Sequence, residues 1–243
     1  MNSTKKQARR AGLLYLLASI PAPFALIYVP NSLIVPGDAT ATANHIRAAE
    51  TLFRLGIVSE LFGFIMFVFV VLALYRLFKG VSEKHAVAMA TLILISLPVS
   101  FFNVLNEVAA LVLVRGANFL SAFDPRQLDV LAYLFLRLHG QGFVVAQIFW
   151  GLWLFPFGIL VIRSGFIPRV LGYLLFIAGF GNVASSFTSL LLPRYVDLVG
   201  HFASVLTLGE LPIIFWLLIW GARLPATTLP GTAQRATTAL LQP

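Results

Sequence analysis

Three carboxylates stand where a carboxylate is expensive. Glu60, Glu107 and Glu210 each fall inside a long apolar stretch of the 243-residue chain. A charge inside a bilayer costs a few kcal/mol on insertion scales, so such a residue faces a bundle interior, a wet cavity or a counter-charge. Helical arithmetic at about 100° per residue gives these acids polar neighbours. In the third apolar stretch Ser96, Ser100, Asn103, Asn106 and Glu107 share an arc of about 120°. In the fourth, Arg137, Gly140, Gln141 and Gln147 share a face. In the fifth, Gly179, Asn182, Ser185 and Ser186 do so. In the sixth, His201 and Ser204 lie together while Glu210 points elsewhere. Glu60 and Glu107 both fall roughly 9–12 Å from one end of their helices at 1.5 Å per residue. The expectation is an outward-facing polar cavity among spans two to six. Its ligand-binding residues are Glu60, Asn103, Asn106, Glu107, Arg137, Gln141, Asn182, His201 and Glu210, with Arg137 as counter-charge to the acids. Serines on these faces read as interhelical hydrogen-bond glue, worth about 0.6 kcal/mol each. The asparagines read equally as glue or as ligand contacts. Glu107 with Arg137 reads equally as a structural ion pair or as part of a site.

Other chemistries find little support. There is no cysteine, which removes disulfides, thiolate nucleophiles and cysteine-bound zinc. Zinc catalysis wants three protein ligands and an open position. His139, His201 and one glutamate could supply them, but no histidine pair stands four apart and no HExxH occurs. His139 falls about 160° from Gln141 around its helix, off the polar stripe. No GxSxG, P-loop or GxGxxG is present. No catalytic residue, metal or cofactor is expected.

The elements that position these residues are membrane spans. Apolar residues make up 59% of the chain and charged residues 11%, against roughly 45–50% and 25% in soluble domains. A span needs roughly 20 apolar residues. Six such segments occur, at about 12–34, 55–77, 86–113, 140–162, 169–192 and 199–221, giving an all-α polytopic bundle. The first is too long for a signal peptide's apolar region and reads as a retained span kinked at Pro21 and Pro23. With the N-terminus inside, Lys5, Lys6, Arg9, Arg10, Arg76, Lys79, Lys84, Arg163, Arg169, Arg223 and Arg235 all lie in the cytoplasm, joined by one acid, Glu83. That bias sets both termini inside. The net charge of +8 therefore speaks for the lipid bilayer as partner and not for nucleic acid. Asp124-Pro125 signals a helix start, with a hinge at Gly140-Gln141-Gly142. Residues 44–54 read as an extension of the second span, supported by Glu50 and Arg54 at i, i+4. Residues 1–11 read as a basic cytoplasmic segment, 12–222 as the membrane domain and 223–243 as a disordered cytoplasmic tail. Leu97-Pro98-Val99-Ser100-Phe101 and Leu211-Pro212-Ile213-Ile214-Phe215 are too short a likeness to establish a repeat.

The most distinctive stretch runs Trp150-Gly151-Leu152-Trp153-Leu154-Phe155-Pro156-Phe157-Gly158, Arg163-Ser164-Gly165-Phe166-Ile167-Pro168-Arg169, Leu171-Gly172-Tyr173 and Ala178-Gly179-Phe180-Gly181. With Phe53-Arg54-Leu55-Gly56-Ile57 it resembles a bacterial family of uncharacterised membrane proteins, domain of unknown function 4386. The resemblance implies a bacterial inner-membrane protein and brings no activity or site residues. Physically, Gly151 and Gly158 on one span and Gly172 and Gly179 on the next are seven apart, which lets two helices approach closely. Three functions follow from the residues. The first is binding or transport of a small polar or cationic ligand, or a proton. The second is a structural or regulatory membrane subunit. The third is an intramembrane metal-dependent hydrolase. Nothing in the sequence sets an oligomeric state.

Overall fold

The computed structural model describes residues 3–222. Six helices are long and apolar enough to cross a membrane, and a seventh, shorter helix lies between the first two. We number them α1 (Ser3–Leu33), α2 (Ala39–Ala48), α3 (Glu50–Phe78), α4 (Glu83–Arg115), α5 (Pro125–Ser164), α6 (Arg169–Leu191) and α7 (Pro193–Ile219). Helix is the natural solution because the hydrocarbon core offers no partner for an open backbone group. The expected tail at 223–243 lies outside the described residues. The basic segment expected at 1–11 is helical from Ser3 onward, and its Arg9 donates to the Ile219 carbonyl at 2.7 Å.

Each span packs on its sequence neighbours, and α7 returns to α1. Buried apolar residues form two cores. One gathers Tyr15, Leu74, Met89, Trp153, Leu175 and Ile213. The other, at the end that carries α2, gathers Ile46, Phe53, Val104, Leu128 and Leu136. Between them lies a layer where the polar residues sit.

Three spans are broken. In α1 the helix bends at Ile20, resumes at Pro21–Pro23 and passes through a π-helical stretch, Phe24–Tyr28. Proline removes an interior hydrogen bond and crowds the preceding turn, so the expected kink at Pro21 and Pro23 is present. In α5 the break falls at Trp153, between Pro125–Leu152 and Leu154–Ser164. At 140–142, where a hinge was expected, the helix is unbroken. In α7 a 3-10 turn, Leu208–Glu210, precedes Pro212. Below their breaks α1 and α7 pack tightly, with a Cβ on Gly12 meeting the Leu218 backbone nitrogen at 2.4 Å. Above them the extensive contact between these two helices ends.

The α2 end is tied by ions and caps. Asp38 accepts from the Ala41 backbone N–H, and Asp124 makes a capping box with Gln127, as Asp124-Pro125 predicted. The Glu50–Arg54 pair forms at 2.7 Å. However, the chain breaks at Ala49, so residues 44–48 belong to α2 and not to an extension of α3. Arg47 holds the corner. It pairs with the buried Asp129 of α5 and donates to the Val114 carbonyl at 2.9 Å, satisfying an acceptor that the end of α4 leaves open.

The glycines of α5 and α6 interlock as their spacing predicted. A Cβ on Gly151 would meet the Gly179 carbonyl at 2.7 Å, and one on Gly158 the Gly172 carbonyl at 2.9 Å. The neighbour is rigid backbone in each case. Gly158→Val should therefore destabilise the protein by about 1–3 kcal/mol, the usual cost of overpacking. Thermal unfolding in detergent checks this, and an unchanged midpoint would mean the two helices do not touch there.

Candidate functional site

Glu60 on α3 and Glu107 on α4 do converge, and the residue between them is His139 of α5. His139 Nε2 lies 3.3 Å from Glu60 Oε1 and Nδ1 lies 3.9 Å from Glu107 Oε1. Side-chain exposure is 3% for Glu60, 8% for Glu107 and 12% for His139. The second oxygen of each carboxylate, Oε2, is buried with no hydrogen-bond partner. One donor atom from each residue can be chosen so that all three lie within 4.8 Å of one another.

Asn103 sets this arrangement. Its amide nitrogen donates to the His139 carbonyl at 2.9 Å. Gly142, less than one turn further along α5, lies so close that a Cβ there would stand 1.8 Å from Asn103 Oδ1. The register of α5 against α4 is thereby fixed, and Glu107, one turn beyond Asn103, comes opposite His139. Asn106 donates to the Asn103 carbonyl and side-chain oxygen at 3.0 and 3.2 Å. Both asparagines position the acid and the histidine. Of the serines read as interhelical glue, Ser186 acts so, donating to the Val144 carbonyl and joining α6 to α5, whereas Ser96 and Ser100 bond back into their own helix.

The placement of α5 corrects the sequence reading. Its inward face at this level is His139, Gly142, Phe143, Ala146 and Trp150, an arc of about 100° by helical arithmetic. Arg137 and Gln141 lie on another face. Both are exposed and line a separate hollow of about 300 Å³ with Ile34 and Tyr133. Arg137 is thus not the counter-charge of Glu107; His139 stands in that place. His139, about 160° from Gln141 around the helix, is therefore on the inward face and Gln141 off it. His201 is also apart, exposed on α7 with Nδ1 against the Asp197 carbonyl. The ligand trio of His139, His201 and a glutamate does not assemble.

A larger cavity of about 530 Å³ sits at mid-depth within the ring of spans. Glu60 lies on its α3 wall and Glu210 on its α7 wall, with Gln147 and Asn182 between. Gln147 donates to Asn182 at 3.3 Å. The remaining wall is mostly aliphatic and small residues, with six aromatic side chains, Tyr15, Phe64, Phe67, Phe143, Trp150 and Trp153, and a few hydroxyls such as Ser59 and Ser204. The Tyr15 hydroxyl is buried without a hydrogen-bond partner. Leu26 of α1 and Gly200 and Ser204 of α7 border the same cavity, on either side of the gap that opens above the breaks. The first span, which the sequence reading left out of the site, supplies a full side of it. Glu107, Asn103, Arg137, Gln141 and His201 are not on its wall.

The family described as "Domain of unknown function (DUF4386)" matches residues 10–221, and the chain belongs to that family. An uncharacterised protein of the archaeon Archaeoglobus fulgidus is 35% identical over 80 residues, which cover 33% of this chain and 46% of that protein. The chain thus spans less than half of that relative's length, and likeness to it is not confined to bacteria. No solved structure matches the chain.

Burial of the Glu60–His139–Glu107 group predicts an asymmetric response to mutation. His139→Phe removes the one side chain that reaches both buried carboxylates and should cost about 3–5 kcal/mol, as breaking a buried pair does. His201→Phe, on an exposed face, should change stability little. Comparing the two unfolding midpoints in detergent checks the assignment, and equal midpoints would count against it.

Proposed function

We propose that this member of the DUF4386 family binds an amphipathic cation in its central cavity, reached sideways from the bilayer between α1 and α7. The observation that carries the reading is the pairing of two carboxylates, Glu60 and Glu210, with a wall that is mostly apolar and carries six aromatic side chains. Aromatic faces attract cations, by about 2 kcal/mol or more where water is excluded, and an acid in hydrocarbon is most stable beside a positive charge. Among the described residues, none hydrogen-bonds or ion-pairs with Glu210. A purely polar solute would leave the aromatic wall unused. A cation with apolar substituents uses both surfaces.

The broken helices support side entry. Discontinuous spans put irregular backbone only where it lines a cavity or is buried in protein, and the breaks of α1 and α7 both border this one. With both termini in the cytoplasm of a bacterial cell, as the basic residues argue, the gap lies toward the outer leaflet of the cytoplasmic membrane. Binding is favoured over a purely scaffolding role because a scaffold predicts a dry, closed bundle. A 530 Å³ cavity is also within the size range of small-molecule sites.

The test is binding of tetraphenylphosphonium to the purified full-length chain in detergent. Glu210→Gln should weaken binding about tenfold, equal to ~1.4 kcal/mol. Glu83→Gln, at the start of α4 and off the cavity wall, should leave it unchanged. Wild-type protein that does not bind the cation, or a Glu210→Gln variant that binds it as well as wild type, would overturn the proposal.

A further inference from the structure

We infer that Glu60, Glu107 and His139 form a binding site for a first-row divalent metal ion of the zinc class. The site goes beyond the cation-binding reading and does not rest on it: only Glu60 is shared, and Glu107 and His139 lie off the cavity wall.

The donor set is the first argument. Two carboxylates and one imidazole suit zinc and its first-row neighbours better than magnesium or calcium, which favour all-oxygen shells. Three protein ligands with a fourth position left open is the arrangement of reactive zinc sites, whereas structural sites are closed by four. Charge is the second argument. Two carboxylates this deeply buried need compensation, and one divalent ion neutralises both at once. The unsatisfied oxygens are the third. Glu60 Oε2 and Glu107 Oε2 are buried and unpartnered, on side chains that are 97% and 92% buried by the complement of their 3% and 8% exposures. A buried acceptor without a donor is costly, more so when charged, and metal coordination removes that cost.

Geometry permits it. Bonds of about 2.0–2.2 Å from zinc to nitrogen and oxygen place tetrahedral donors roughly 3.4 Å apart. His139 Nε2 and Glu60 Oε1 already stand at 3.3 Å. The three donors all lie within 4.8 Å of one another, and because Glu107 stands against the other ring nitrogen, Nδ1, closure needs its carboxylate to turn toward the Nε2 side. The three ligands come from α3, α4 and α5, and the Asn103 bond to the His139 carbonyl holds two of those helices in register. This is the kind of outer support that orients metal ligands. Glu60 also borders the central cavity, so one ligand of the site is shared with that wall.

The experiment uses the full-length chain in detergent, stripped with chelator and titrated with Zn²⁺ and, separately, with Co²⁺. One ion per chain should bind, and bound Co²⁺ should show the visible absorption of a four- or five-coordinate mixed nitrogen and oxygen site. Glu107→Gln and His139→Gln should each weaken Zn²⁺ binding at least tenfold. Glu210→Gln should leave it unchanged while weakening tetraphenylphosphonium, which separates this site from the cavity reading. Excess Mg²⁺ or Ca²⁺ should not displace the ion. Substoichiometric Zn²⁺ binding by well-folded wild-type protein overturns the inference and leaves an imidazolium clasped by two carboxylates as the role of the group. Equal Zn²⁺ affinity in wild type and both variants overturns it as well, by moving the ion elsewhere.

Discussion

A single close approach, Asn103 of α4 against His139 and Gly142 of α5, governs the layer between the two cores. The Asn103 amide occupies the volume that a side chain at 142 would need, and its N–H is spent on the His139 carbonyl. In hydrocarbon there is no solvent to take that hydrogen bond if the helices slide. Register is therefore fixed by both a steric and a polar condition. Everything that meets at the level of Glu60 depends on it: a shift of one residue along α5 would rotate His139 away from both carboxylates by about 100°.

Backbone interruption supplies the complementary feature, space. Six uninterrupted helices packed at glycine contacts would leave little room, as the α5–α6 pair shows. α1 and α7 are held together where Gly12 meets the Leu217 and Leu218 backbone and part beyond Pro21 and Glu210. Pro21 at the α1 break and Leu208 and Glu210 at the α7 break all line the cavity, so the void lies where the helices are interrupted. The irregular backbone this exposes is served locally, as where the Ser59 hydroxyl approaches the Pro21 carbonyl at 3.5 Å.

Much of this was legible in the chain. The six spans, the kink in α1, the Asp124-Pro125 helix start and the glycine hairpin of α5 and α6 all follow from local rules, and all appear. The two acids that converge were found by the cost of burying a carboxylate, and Asn103 and Asn106 by their shared face with Glu107. His139 was missed because the polar stripe of α5 was drawn through Arg137 and Gln141, which are polar for a different reason. They face the α1–α2 connection and solvent. A second signal was available in Gly142, since a glycine amid bulky residues marks the face that touches a neighbour. It was instead taken for a hinge. Arg47 and Asp129 were overlooked because each sits outside the long apolar stretches, where charge is ordinary.

The sequence by itself determined that this chain is a helical membrane bundle, where its spans lie and that the first is kinked, and which acids are too costly to leave facing lipid. Those are one-dimensional properties: apolar length, proline, caps and the free energy of burying one group. Only the tertiary structure decided that Glu60 and Glu107 share His139 and that Glu210 faces a separate wall. It alone showed that the first span closes the cavity. Each of these depends on how one helix is rotated and shifted against another. That relation is set by contacts such as Asn103 on Gly142, between residues far apart in the chain, and no periodicity within a single helix encodes it.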